Sequence, residues 1–140
     1  MRRTSLIRIR GFSAVHRYRR TDWSEERNRE VFGDQVARHG HDYRLEVVVS
    51  GDPDPETGFV VSLPVLDGCL DEIVDELHDR DLNQAIPEVS DGSMLPSTEA
   101  LSAWIWTRLE GTLPDGVRLR TVRVWESAEL GAEIVADDET

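Results

Sequence analysis

Hydrophobic residues in the first third of the chain fall with a period of two, the spacing of a half-buried strand. Over residues 6–16, Ile7, Ile9, Gly11, Ser13 and Val15 share one face, and Arg8, Arg10, Phe12, Ala14 and His16 share the other. The alternation is strongest from Asp42 to Gly51, around Val47-Val48-Val49. Residues 52–58 are dense in turn formers, so Phe59–Leu63 is expected to pair back as a hairpin. The period then lengthens. Leu66, Cys69, Leu70, Ile73, Val74 and Leu77 form one apolar stripe on a helix over about residues 64–77, with Pro64 in its first turn. Cys69 lies in that stripe and reads as a core thiol. Residues 79–95 read as loop. A second helix starts near Pro96-Ser97-Thr98-Glu99, where cap and early acidic signals coincide, and runs through Leu101, Trp104, Ile105 and Leu109. Strands over 117–126 and about 132–136 close the chain. Residues 17–38 are polar and irregular, with a short helix near Trp23–Arg29, and a segment of that length marks function.

The order is β, β, β, α, α, β, β. Strands that come mostly as hairpins predict an α+β fold with an antiparallel sheet and both helices on one face. The 140 residues suit one domain, with residues 5–135 as its core and 136–140 as an acidic tail.

Charge narrows the partners. The formal net charge of −12 argues against nucleic acid and against anionic membranes. All 16 basic residues are arginine, so no lysine is present to form a Schiff base or act as a base. One cysteine excludes an internal disulfide framework and a Cys-rich zinc motif. The N-terminal stretch is broken by Arg8 and Arg10 and reads as neither signal peptide nor membrane span, so a cytoplasmic protein is expected.

Three of the four histidines suggest metal chemistry. His39 and His41 lie two apart ahead of a strand, on the face of Tyr43, Leu45, Val47 and Val49. His16 ends the first strand, where a paired neighbour would bring it alongside. Three imidazoles with an open fourth position are a catalytic zinc arrangement. Gly40 is expected to leave backbone room beside the ion.

Several stretches, in order over residues 5–135, resemble the 6-pyruvoyltetrahydropterin synthase and 6-carboxytetrahydropterin synthase family. They are Phe12-Ser13-Ala14-Val15-His16, Trp23 through Gly33, His39-Gly40-His41-Asp42-Tyr43, and Asp54 through Val60. Asp81-Leu82-Asn83, Pro96-Ser97-Thr98-Glu99, Trp104-Ile105-Trp106 and Val122 through Glu126 complete the set. The resemblance implies a tunnelling fold, an antiparallel four-stranded sheet with two helices packed on one face. It also implies rings of subunits joined at edge strands, a homohexamer or a dimer of trimers, with sites between subunits. It makes His16, His39 and His41 zinc ligands and Glu126 the carboxylate that anchors the pterin ring. It puts Ser97, Thr98 and Glu99 near the pterin pocket, where they also read as a helix cap.

Two positions depart from the family. Its usual cysteine base is replaced by Gln35, and a primary amide is no base near neutral pH. Its Asp-His pair is reversed to His78-Asp79, which re-aims both groups. Substitute bases are His78, Asp79 or Asp34, in the order His78 and then Asp34. The expected activity is a zinc-dependent carbon–oxygen or carbon–carbon lyase on 7,8-dihydroneopterin triphosphate or a related pterin. Its product is 6-carboxytetrahydropterin, which feeds deazapurine (queuosine) synthesis, or next 6-pyruvoyltetrahydropterin, on the route to tetrahydrobiopterin. Arg17, Arg19 or Arg20 would meet the triphosphate. The alternative is a catalytically impaired paralogue that keeps the zinc and the ring pocket.

Overall fold

A computed structural model describes residues 2–137, so residues 138–140 of the expected tail lie outside the described residues. Among the described residues, five strands and five helices follow in this order: β1 Ser5–His16, α1 Glu25–Phe32, β2 His39–Ser50, α2 Leu63–Leu77, β3 Arg80–Asp81, α3 Leu82–Ala85, α4 Pro87–Ser90, α5 Thr98–Glu110, β4 Arg118–Trp125 and β5 Gly131–Val135. A 3₁₀ turn, Gly33–Val36, follows α1.

The sheet order is β3-β1-β2-β4-β5. The four long strands are antiparallel, as expected, and the two-residue β3 adds a parallel fifth at the outer edge of β1. Helices α2 and α5 pack on one face, contributing Leu66, Leu70, Ile73 and Leu77 from α2 and Leu101, Ile105 and Leu109 from α5. These meet Leu45, Val47 and Val49 of β2 and Val122 and Val124 of β4, all fully buried.

Four local expectations need correction. Residues 59–62 form no strand: β2 pairs with β1 and β4, and Val60 and Val61 are instead buried as a plug before α2. Within 17–38 the expected short helix is present as α1, capped by Ser24, whose side chain accepts from the Arg27 N–H, but it runs on to Phe32 and into the 3₁₀ turn, so less of the segment is irregular than expected. Residues 79–95 hold β3, α3 and α4 rather than plain loop. Cys69 is only partly buried, at the margin of the α2 stripe.

The two faces of β1 are also unusual. The helix-covered face carries Arg8 and Arg10, while Ile7 and Ile9 are exposed on the open face. Asp67 on α2 explains the arginines: Arg8 Nε is 2.7 Å and Arg10 Nη2 2.8 Å from Asp67 Oδ1. The hydrogen bond from Arg8 leads the effects that hold the Asp67 carboxyl below its usual range.

Candidate metal centre and adjoining pocket

The register of β1 against β2 builds the centre. His16 pairs directly with His39, and Ala14 with His41. Residues two apart on a strand share a face, so all three imidazoles emerge on the helix-covered side. Their ring centroids lie 4.6, 4.9 and 5.0 Å apart, with the rings edge-on to one another. One nitrogen of each lies within 4.8 Å of the others, a group that could hold a metal ion. Gly40 serves another end than the one expected. Its missing Cβ points to the open face, where it would meet Val15 Cγ1 at 3.3 Å.

Backbone carbonyls orient two of the rings. His16 Nδ1 donates to the Pro96 carbonyl at 2.9 Å, and His39 Nδ1 donates to the Ala37 carbonyl at 2.8 Å. A carbonyl only accepts, so the proton sits on Nδ1 and leaves Nε2 with a free lone pair, the form a metal requires. The Tyr43 hydroxyl lies 3.2 Å from the same His16 nitrogen. Desolvation is the main cause that pushes the His16 imidazolium down to about 4, and the neighbouring His39 and His41 lower it further.

Glu126 follows directly after β4 and is buried beside the imidazoles. Its Oε2 is 3.5 Å from His41 Nε2 and 3.9 Å from His16 Nε2. Among the described residues, these three atoms are buried without a hydrogen-bond partner. Unsatisfied buried donors and acceptors of this kind are costly. His16 Nε2 and Glu126 Oε2 present lone pairs to the same space, and His41 Nε2 joins them in its Nδ1–H tautomer; a cation there would satisfy all three, so the residues present fit a metal ion.

A cavity of about 290 Å³ adjoins the centre, lined among others by Tyr18, Phe32, Gln35, Thr98, Glu99 and Glu126. Ser97 also lines it while capping α5, its hydroxyl accepting from the Ala100 N–H at 3.1 Å. Thr98 donates to Glu99 Oε1 at 2.9 Å. The structure thus brings Glu126, Ser97, Thr98 and Glu99 together beside the imidazoles, with Gln35 in the same wall.

Asp34 is exposed and stands outside that lining. His78 and Asp79 sit instead at the outer edge of β1. Ser13 N–H donates to His78 Nδ1 at 3.1 Å, and the Asp79 N–H donates to the Ser13 carbonyl at 2.7 Å. His78 Nε2 faces Asp79 Oδ2 at 3.4 Å, and Asp79 has a left-handed backbone, φ 58°. Tyr18 is a wall residue that the sequence reading passed over. It lies beyond the end of β1, outside any periodic element, so no spacing in the sequence marks it.

Comparisons with known proteins agree with this architecture. The family described as "6-pyruvoyl tetrahydropterin synthase" matches residues 5–137. A human protein named 6-pyruvoyl tetrahydrobiopterin synthase is 36% identical over 119 residues, covering 83% of this chain and 80% of its own. A Pyrococcus furiosus protein named dihydroneopterin monophosphate aldolase is 32% identical over 123 residues, covering 88% and 90%. The solved 6-pyruvoyl tetrahydropterin synthase of Caenorhabditis elegans superposes with a TM-score of 0.87 at 23% identity, covering 98% of both chains, and shows the same fold.

Proposed function

The chain belongs to the 6-pyruvoyl tetrahydropterin synthase family, and we propose that it is a zinc-dependent lyase acting on 7,8-dihydroneopterin triphosphate or a close relative. The family is metal-dependent and consists of lyases of pterin biosynthesis. The names of the relatives favour the 6-pyruvoyl product over the 6-carboxy product that the sequence put first. The observation that carries the reading is the buried Glu126 carboxylate, shared between the imidazole cluster and the adjoining cavity.

His16, His39 and His41 would hold the ion, and three nitrogen donors with an open position suit zinc. When bound, zinc supplies Lewis acidity toward side-chain hydroxyls and the adjacent C–H. The Pro96 and Ala37 carbonyls hold two of the imidazoles in the ligating tautomer. Glu126 is able to accept two parallel N–H bonds from a pterin ring, the geometry a carboxylate also offers arginine. Thr98, Glu99 and Ser97 bound the ring from the α5 side.

The proton-transfer role falls to the His78-Asp79 pair, which lies beside β3 at the edge of the sheet and would face a neighbouring subunit in a ring assembly, hexameric in this reading and cytoplasmic. To act as a base, His78 must release the Ser13 N–H that its Nδ1 accepts. That occupied nitrogen, together with Gln35 in the cavity wall, favours a second reading: a paralogue that binds pterin and metal without turnover.

The test is to incubate zinc-loaded protein with 7,8-dihydroneopterin triphosphate and identify products by mass spectrometry. The expected product is 6-pyruvoyltetrahydropterin with release of triphosphate. A carbon–carbon cleaved product would move the activity toward the aldolase relative. Tight pterin binding without turnover, abolished in Glu126→Ala, would establish the second reading, and absence of both would refute the two together.

A further inference from the structure

Tyr18 lies two residues beyond the end of β1, in no strand or helix, yet its place is fixed. Its backbone N–H donates to the Gln35 carbonyl at 2.9 Å. Asn83 holds the residue before it, accepting from the Arg17 N–H at 2.9 Å and donating to the Arg17 carbonyl at 3.1 Å. The ring touches both the metal centre and α1. Its centroid is 4.9 Å from that of His16, 6.5 Å from His39 and 5.8 Å from Phe32. Phe32 in turn stacks on Trp23 at 5.7 Å. Packing of this kind leaves a phenol few rotamers.

The hydroxyl is what this packing leaves over. Among the described residues it has no hydrogen-bond partner, whereas the Tyr43 hydroxyl lies 3.2 Å from His16 Nδ1. Tyr18 is partly buried and lines the cavity together with Glu99 and Glu126. Ionised carboxylates only accept, so those two residues suit the N–H groups of a ring. A phenol keeps its proton near neutral pH and is free to donate. It carries no charge, so it stands beside a cation without the repulsion that a guanidinium would bring. A partly buried O–H without a partner is a cost that a ligand oxygen removes.

We propose that Tyr18 is a specificity-determining residue. Its hydroxyl donates to an oxygen on the side chain of the bound pterin, and so selects pterins with an oxygenated side chain over those with an alkyl one. The inference rests on the pterin reading above, with the ring on Glu126 and its side chain running toward the imidazoles. A donor fixed before the ligand arrives loses little freedom on binding, which is what pre-organisation supplies. Discrimination of this kind comes from the unpaired group itself, because a ligand that lacks the oxygen leaves the phenol unsatisfied.

Calorimetry on the zinc-loaded protein tests it with two probes, 7,8-dihydroneopterin and 6-methyl-7,8-dihydropterin, which share the ring and differ in side-chain oxygens. The unaltered protein should prefer 7,8-dihydroneopterin. Tyr18→Phe removes the hydroxyl and keeps the ring packing, so its zinc content by elemental analysis should be unchanged. It should bind 7,8-dihydroneopterin about three- to tenfold more weakly and 6-methyl-7,8-dihydropterin as before. Equal losses for both ligands, or loss of zinc, would make Tyr18 a packing residue and overturn the inference. A preference that is missing from the unaltered protein, or that survives intact in Tyr18→Phe, overturns the inference and leaves the pterin reading standing. If the unaltered protein binds neither ligand, the pterin reading falls and the inference falls with it.

Discussion

At the scale of single residues, His16 couples the site to stability. Its imidazole is fully buried, and that desolvation pushes its titration down to about 4, against 6.5 in an unfolded chain. Between those values the unfolded state binds more protons, so stability of the metal-free protein falls as pH drops from about 6.5 toward 4. Above that window the contribution is fully present, and the total loss is on the order of 3 kcal/mol. Urea melts across pH 4 to 7.5 should show this slope, and His16→Gln should flatten it. His39→Ala combined with His41→Ala should abolish zinc content by elemental analysis. Zinc retained in that variant would remove the imidazole cluster as its site. The convergence of these imidazoles was readable in the sequence because a spacing of two on a strand fixes a common face. Tyr18 was not, because its place in the cavity wall depends on contacts made outside any periodic element.

At the scale of elements, close packing rather than propensity sets the positions of the site. Gly131 opens β5 beneath the Trp125 ring, where an added Cβ would lie 2.5 Å from Cε3 and 3.0 Å from the Val124 carbonyl. Gly131→Ala must displace the indole or the strand, and should cost roughly 1–3 kcal/mol in chemical denaturation. Since Glu126 donates its backbone N–H to the Leu130 carbonyl just before that glycine, the same variant should also weaken pterin binding. Ser97→Ala removes the cap of α5 and should cost about 1 kcal/mol. Helix α2 was legible from its apolar stripe to within a residue. Phe59–Leu63 misled because a short apolar run reads alike as strand or buried plug until its partners are known.

At the scale of the molecule, a five-stranded sheet leaves an open face and two edges for neighbours. The reading as a ring predicts a hexamer by light scattering with size-exclusion chromatography, and a monomer at micromolar concentration would contradict it. Removing zinc with a chelator should lower the melting temperature, since an ion bound only by the folded state stabilises it by mass action. Among the described residues, no helix is long and apolar enough to cross a membrane. By itself the sequence determined the long strands, the two main helices, the α+β class and the family, and it singled out the three histidines as one candidate group, because strand and helix periods and short spacings are local properties. Tertiary structure alone decided that β2 runs between β1 and β4, that Glu126 closes on the imidazoles, and that Gln35 stands in the cavity wall. It alone also set His78 at the sheet edge, where its Nδ1 accepts from the Ser13 N–H. Each of these depends on which segments meet in space, and strand register and side-chain contacts between remote residues leave no periodic trace in the chain.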